Sequence, residues 1–228
     1  MSDDRRRPLR DNSLSIVFGL MLLATLVAQA VWGLLEYNEQ ARTASLQEIS
    51  FLRFITSSRF AVDVAENWQS EYLQFTLYIL LTVWLVQRGS SESKKPGESG
   101  RESDEKQRVG AFARADSPRW VKAGGWRTAV YSHSLVTIMA VIFVLSWGAQ
   151  AVAGRVANNE ERMRDLLAPQ DFLAYLGSPD FWTRTLQNWQ SELLAIGSMA
   201  VFAIYLRERG SPESKLVGAP HSETSSDD

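Results

Sequence analysis

Four long stretches of the sequence contain no Asp, Glu, Lys or Arg, and this feature constrains the fold most. They are residues 12–35, 72–87, 128–154 and 193–206. A helix rises 1.5 Å per residue, so crossing a hydrocarbon core of about 30 Å takes about 20 apolar residues. The first and third stretches, of 24 and 27 residues, are long enough. Because a helix satisfies its own backbone hydrogen bonds in lipid, they predict transmembrane helices.

The second and fourth stretches, of 16 and 14 residues, are too short to cross alone. Extending each toward its N-terminus to the nearest tryptophan gives residues 68–87 and 189–206, about 30 and 27 Å of helix. The sequence therefore predicts an all-α, polytopic membrane protein with four transmembrane helices. The extension draws Glu71 and Glu192 to the membrane boundary or just inside it.

Lysine and arginine residues are distributed unevenly between the connecting segments. Residues 1–13, 88–127 and 207–228 together hold 17, whereas residues 36–67 and 155–188 hold 7. Because positive charge favours the cytoplasmic side, both termini are predicted to be cytoplasmic and the protein to be multi-pass in the inner (plasma) membrane.

Tryptophans beside these cations predict contacts with the membrane surface. Trp120 and Trp126 are expected to anchor at the interface, and the neighbouring cations to contact anionic lipid headgroups on the cytoplasmic side. The net charge of −2 gives no reason to expect a nucleic-acid partner.

The N-terminal region allows a rival interpretation as a cleavable secretory signal. An arginine-rich start precedes an apolar stretch that ends in Ala28-Gln29-Ala30, which resembles a cleavage site, and residues 6–9 weakly resemble a twin-arginine signal. However, the apolar stretch is longer than a typical signal core, and Ala-Gln-Ala-Val recurs at residues 149–152. These two facts favour a retained helix.

The chain aligns with itself at an offset of 121 residues. Residues 13–97 match residues 134–218 without a gap, with 28 identities in 85 positions. The identities concentrate in Ala-Gln-Ala-Val, Asn-Trp-Gln-Ser-Glu and Arg-Gly-Ser segments. The sequence therefore predicts two tandem two-helix membrane repeats in one orientation, at residues 14–88 and 128–209, within a four-helix bundle.

The segments outside the transmembrane helices differ in composition. Residues 1–13 form the predicted cytoplasmic N-terminus, while residues 89–127 and 210–228, rich in Ser, Gly and charged residues, are predicted to be a disordered cytoplasmic linker and tail. The aromatic-rich outer connections predict short interfacial helices on the outer side. In the second connection, Pro169 can begin such a helix, Gly177 can end it, and Ser178-Pro179 can cap the next helix.

The Asn-Trp-Gln-Ser-Glu segments place polar side chains at the membrane boundary or just inside it, where removing them from water costs free energy. At 100° per residue, the Asn, Ser and Glu of each segment share one helix face. Gln29 and Gln150 lie at a comparable depth, so Gln29 with Glu71 and Gln150 with Glu192 are predicted as interhelical pairs. The candidate polar seam or ion site comprises Asn67, Gln69, Ser70, Glu71, Asn188, Gln190, Ser191, Glu192, Gln29 and Gln150, with Trp68 and Trp189 as further interface anchors.

Two function classes remain open for these residues. In the first, tryptophan anchors each helix and the polar groups hold helices together, which is typical of a structural or interaction component that associates with itself or a membrane partner. In the second, Glu71 and Glu192 bind a cation or proton in a channel-like or carrier-like protein, because an ionisable group at membrane depth is a functional candidate. The first interpretation is favoured, since boundary depth costs less than midplane depth.

Composition argues against enzyme chemistry. The chain has no Cys and only two His, which excludes disulfides, thiolate metal sites, cysteine nucleophiles and multi-histidine metal sites. No phosphate-binding loop, dinucleotide motif or nucleophile elbow is present. We therefore expect a non-enzymatic protein without a cofactor or a resident metal.

The tandem Asn-Trp-Gln-Ser-Glu segments, each followed by an apolar helix and Arg-Gly-Ser, resemble an uncharacterised bacterial family of small multi-pass membrane proteins. That family is classed only as a domain of unknown function. The resemblance covers most of residues 13–97 and 134–218. It implies a membrane fold but no activity, ligand or catalytic residue.

Overall fold

The computed structural model describes residues 7–224, and these residues form nine α-helices and no strand. The helices are α1 (Arg7–Asp11), α2 (Ser13–Thr43), α3 (Phe51–Ile55), α4 (Ser58–Leu81), α5 (Arg119–Ala123), α6 (Gly125–Ser132), α7 (Ser134–Arg164), α8 (Phe172–Leu176) and α9 (Pro179–Tyr205). The chain divides into two compact units between Asp63 and Val64, within α4. The all-α class predicted from the sequence is confirmed.

Two helices of the described chain, α2 and α7, are long and apolar enough to cross a membrane. Each has 31 residues, and within its most apolar stretch only 6% of α2 and 17% of α7 is buried. The core helix of a soluble protein would be mostly buried, whereas these apolar side chains face outward. Both helices are therefore candidates for crossing a membrane by length and composition.

Only these two helices of the described chain, and not the four predicted, are apolar enough to cross a membrane, because α4 and α9 are long enough but not apolar enough. The Asn-Trp-Gln-Ser-Glu segment lies inside each of them, so a stretch long enough to cross includes its polar residues. In addition, α4 ends at Leu81, and turns replace the predicted helix before Gln87. Neither helix would be stable alone in lipid.

The outer connections use the same hydrogen bonds at positions 121 residues apart. In the first unit the Asn38 side chain donates to and accepts from the backbone of Ile49, at 3.1 and 2.9 Å. In the second unit Asn159 makes the same pair of bonds with Gln170, at 2.9 and 2.7 Å. Each asparagine therefore ties the end of a long helix to the start of the next short one.

The short helices predicted in these connections are present as α3 and α8, and their place at the outer membrane surface stays a prediction. Helix α8 begins after the Asp171 cap rather than at Pro169, and Gly177 ends it. Ser178 then caps α9 by accepting from the Phe181 N–H at 3.3 Å. Local polar groups thus satisfy the free backbone groups at these ends.

A small cluster of aromatic side chains packs together in each connection. In the first unit Phe54 is buried against Tyr37 and Phe60, and it fills the space beside Gly33. In the second unit Tyr175 is fully buried, with Phe181 against it at a ring distance of 5.7 Å.

A stripe of small or polar residues on α7 is also buried, at Ser146, Gln150, Gly154 and Ala157. Their spacing of three or four residues turns one helix face inward.

The segments predicted to be a disordered linker and tail form hydrogen-bonded turns in the structure. After α4 the Gln87 N–H donates to Ser93 Oγ at 2.8 Å, and after α9 the Glu208 N–H donates to Ser214 Oγ at 2.9 Å. Lys215 lies in the tail and is 2% exposed. Its ammonium lies within hydrogen-bond distance of four carbonyl oxygens, those of Gly89, Pro220, His221 and Glu223. The tail therefore packs against the turn that follows α4.

Candidate polar seam between α4 and α9

Three contacts join the second-unit part of α4 to α9. The Trp189 indole N–H donates to Gln69 Oε1 at 2.7 Å, and the Ser70 hydroxyl donates to Glu192 Oε1 at 3.4 Å. One turn earlier, Arg184 Nη1 pairs with Glu66 Oε2 at 3.1 Å. From here on, the polar seam means these six residues of the structure and not the ten residues predicted from the sequence. The structure thus brings the two Asn-Trp-Gln-Ser-Glu segments into direct contact.

Several predicted site residues use their side chains within their own helix. The single hydroxyl proton of Ser70 is shared between Glu192 and the closer Asn67 carbonyl, at 3.0 Å, and Ser191 donates to the Asn188 carbonyl at 2.9 Å. The Asn188 amide donates to the Arg184 carbonyl at 2.9 Å. These bonds satisfy polar groups locally, which lowers the cost of placing them beside apolar surface.

The predicted pairing of Gln150 with Glu192 does not occur. Gln150 is fully buried on α7, and its amide donates to Thr185 Oγ1 at 3.2 Å. The Trp147 indole N–H also points at this hydroxyl, at 3.4 Å. Thr185 lies seven residues before Glu192 on the same face of α9, so Gln150 meets α9 two turns before the predicted position.

Sequence reasoning missed Thr185, Arg184 and Glu66. The available signal was the polar stripe itself, which continues outward from Asn188 by one turn to Arg184 and Thr185. Glu66 precedes the repeated segment of α4 and is matched by Gln187 rather than by a second acid. The ion pair therefore lies outside the identical positions of the two repeats.

Aromatic rings surround the α7 side of the seam. Trp147 stacks on Phe143 and Phe181, and it lies 5.7 Å from Trp189 between ring centres. Trp182 packs edge-on against both Trp147 and Phe181. Trp189, predicted as an interface anchor, is therefore half-buried in this cluster while its N–H reaches Gln69.

Two buried amide atoms near the seam have no hydrogen-bond partner within the described chain. They are Nε2 of Gln69 and Oε1 of Gln150, both on fully buried side chains. A buried polar atom without a partner costs about 1–3 kcal/mol. One is a donor and the other an acceptor, and water, which can donate and accept, would suit either of them.

The remaining predicted residues lie apart from these contacts. Gln190 is exposed, and Glu71 is exposed on α4 although its charge interacts with that of Glu192. Trp68 is 43% exposed, and Gln29 is half-buried on α2 in the first unit. Trp120 and Trp126 belong to α5 and α6. Residues 7–224 contain no group of three or more His, Cys, Asp or Glu side chains able to hold a metal ion.

Comparison with known proteins gives one match. A family model described as Domain of unknown function (DUF6766) covers residues 5–226. No curated protein and no solved structure matches the chain.

Proposed function

Since that match spans nearly the whole chain, the protein belongs to the DUF6766 family, and we propose its role from geometry: a non-enzymatic structural component of a bacterial inner membrane. The observation that carries the proposal is the polar seam. Across α4 and α9, its indole donates to its amide, and its two carboxylates contact a hydroxyl and a guanidinium. Polar groups used in this way hold helices together.

We propose further that the chain is a tandem duplication of a two-helix unit. The recurrence of the Asn38 and Asn159 bonds at an offset of 121 residues supports this, as do the matching turns after α4 and α9. Helices α2 and α7 cross the bilayer with their N-terminal ends in the cytoplasm. Helices α4 and α9 return the chain across the bilayer, giving four crossings, and the seam covers the polar surface that lipid would not accept.

The seam contacts lie within one chain, and this limits the surfaces that a partner could bind. Polar groups that already contact one another inside the protein are not open to a second copy or to another membrane protein. The proposal therefore assigns the seam to the assembly of this chain. Association with itself or with a partner stays a prediction without an assigned surface.

A flux measurement tests this role against the carrier-like alternative. The alternative is supported by one observation, the position of Glu71 next to Ser70, whose hydroxyl contacts Glu192 on α9. Purified protein is reconstituted into liposomes, and proton and monovalent-cation flux is measured for the wild type and for E71Q/E192Q. A matched control is E39Q/E160Q, which changes two exposed glutamates that also lie 121 residues apart.

A structural component gives the same flux as empty liposomes for all three proteins. Wild-type flux that survives in E39Q/E160Q but disappears in E71Q/E192Q would overturn the proposal and support the cation or proton site. Size-exclusion chromatography of each variant in detergent checks that the substitutions leave a folded, monodisperse protein.

A further inference from the structure

The short helices α5 and α6 form an elbow immediately before α7. Gly124 and Gly125, with φ of 70° and 59°, turn the chain between them. Thr128 of α6 fixes the elbow by donating to the Trp120 carbonyl at 2.8 Å. Only His133 separates α6 from α7, so the elbow adjoins the start of a helix apolar enough to cross a membrane.

The elbow presents aromatic rings to its surroundings. Trp120 and Trp126 meet edge-on at 5.9 Å, and they are 44% and 67% exposed. Val130 and Tyr131 continue the exposed surface toward α7. So much exposed aromatic and aliphatic surface next to a transmembrane helix is typical of a segment at the headgroup level of the bilayer.

The charges of the elbow have one sign. Arg119, Lys122 and Arg127 are all exposed, and the Arg127 guanidinium lies 5.6 Å from the centre of the Trp126 ring. No Asp or Glu occurs from residue 117 to residue 159. Asp116, three residues before Arg119, is the nearest carboxylate in the sequence. The three cations of the elbow outnumber it, so the elbow complements a negatively charged surface.

We propose that the α5–α6 elbow is a binding surface for anionic lipid headgroups, with the indoles inserted at the interface and the three cations on the phosphates. Each cation near an anionic membrane surface contributes about 1 kcal/mol, and a bilayer provides many phosphates at the level where the indoles insert. The inference rests on the proposed membrane location, because a lipid surface is otherwise not within reach.

Thermal unfolding in detergent with added lipid tests the proposal. Phosphatidylglycerol is expected to raise the unfolding temperature of the wild type more than phosphatidylcholine does. The variant R119Q/K122Q/R127Q should lose at least half of this difference. A control variant, R101Q/K106Q/R108Q, removes the same charge from exposed positions among carboxylates, and it should keep the difference.

Salt and soluble phosphate provide further arms of the test. The difference between the two lipids should shrink from about 0.1 M to about 1 M salt, as the screening length falls from about 10 to about 3 Å. Glycerol phosphate at the same concentration should not reproduce it, since free phosphate brings no interface for the indoles. This arm uses the wild type and so holds even if the variant fails to fold.

Two results would overturn the lipid proposal: equal responses of the wild type to both lipids, or an equal loss in both triple variants. Carbonate washing of cell membranes separates this failure from failure of the proposed function. A protein that stays in washed membranes but shows no preference for phosphatidylglycerol is a membrane protein without this lipid surface. A protein released by carbonate contradicts both proposals.

Discussion

Tyr175 lies outside the proposed transmembrane segments, and its surroundings change the acid–base chemistry of its hydroxyl. Its ring is fully buried, and its hydroxyl donates to Asp180 Oδ2 at 3.0 Å. Burial, the negative charge of Asp180 and the hydrogen bond to it raise the pKa of Tyr175 above its usual value of 10.0. Folding therefore keeps this hydroxyl protonated at a pH where the unfolded chain would lose the proton.

The consequence is a loss of stability in alkali. Because the folded pKa exceeds the unfolded one, the stabilisation is fully present below about pH 10 and falls as pH rises toward the folded pKa. Tyr175→Phe should lower stability by about 1 kcal/mol at pH 7, through the lost hydrogen bond, and should weaken the decline above pH 10. Unfolding temperatures measured in detergent from pH 7 to pH 11 check both expectations.

Phe54, the buried counterpart of Tyr175 in the first unit, indicates that phenylalanine can fill such a site. Phe54→Leu serves as the control, since it perturbs packing without changing a titrating group. An alkaline decline that remains unchanged in Tyr175→Phe would assign the titration to another group.

At the scale of elements, the tail packs against the turn after α4, and Gly89 lies at the centre of this contact. The Gly89 N–H donates to Thr224 Oγ1 at 2.8 Å, and its carbonyl accepts from Lys215 Nζ at 2.6 Å. Gly89 has a φ of 87°, and a Cβ there would clash with the carbonyl oxygen of His221. The position thus requires glycine both for its backbone conformation and for the close approach of the tail.

Gly210 has the first of these two requirements but not the second. It occupies the matching place after α9 with a φ of 85°, but a Cβ there would meet nothing within 4 Å. Gly210→Ala should cost about 1 kcal/mol for the left-handed backbone alone. Gly89→Ala should cost about 3 kcal/mol, because it also disrupts the bonds to Lys215 and Thr224.

Unfolding temperatures in detergent compare the two variants, and limited proteolysis reports on release of the tail. Faster cleavage of residues 212–224 is expected for Gly89→Ala only. Equal losses of stability and equal cleavage would mean that the tail is not docked on this turn.

Element types were predictable from the sequence where local chemistry decides them. Ser178-Pro179 and Gly177 delimit α9 and α8 because their backbone preferences need no distant partner. The early end of α4 at Leu81 was not predictable, since the uncharged stretch continues to Gln87. Hydrophobicity indicates which residues avoid water, but not where a helix stops.

The candidate site was predictable only in part, for a related reason. The repeated segments identified Gln69, Ser70 and Glu192, which do meet across helices. The partner of Gln150 and the ion pair of Arg184 with Glu66 depend on the axial offset between helices. A long side chain reaches over more than one turn, so the sequence alone does not select its partner.

At the scale of the whole molecule, the number of membrane crossings decides on which side of the membrane residues 88–127 lie. If α2, α4, α7 and α9 all cross, residues 88–127 lie in the cytoplasm beside both termini. If only α2 and α7 cross, the same residues and their 10 lysines and arginines lie outside, against the distribution expected of positive charge.

Cysteine labelling distinguishes the two topologies, and the absence of native Cys makes the background clean. Single cysteines replace four exposed residues: Gln47, Ser99, Ala168 and Ser222. With an impermeant maleimide on spheroplasts, the cysteines at 47 and 168 should react and those at 99 and 222 should react only after lysis. Reaction at 99 in intact spheroplasts would contradict the four-crossing proposal.

The aromatic cluster between α7 and α9 has an optical consequence. The ring centre of Trp147 lies 5.7 Å from that of Trp189 and 6.2 Å from that of Trp182. Indole transitions this close couple, and coupled transitions produce paired circular-dichroism bands of opposite sign in the ultraviolet. The pair of helices α7 and α9 thus contains an intrinsic spectroscopic reporter that requires no added chromophore. Its signal vanishes when α7 and α9 separate.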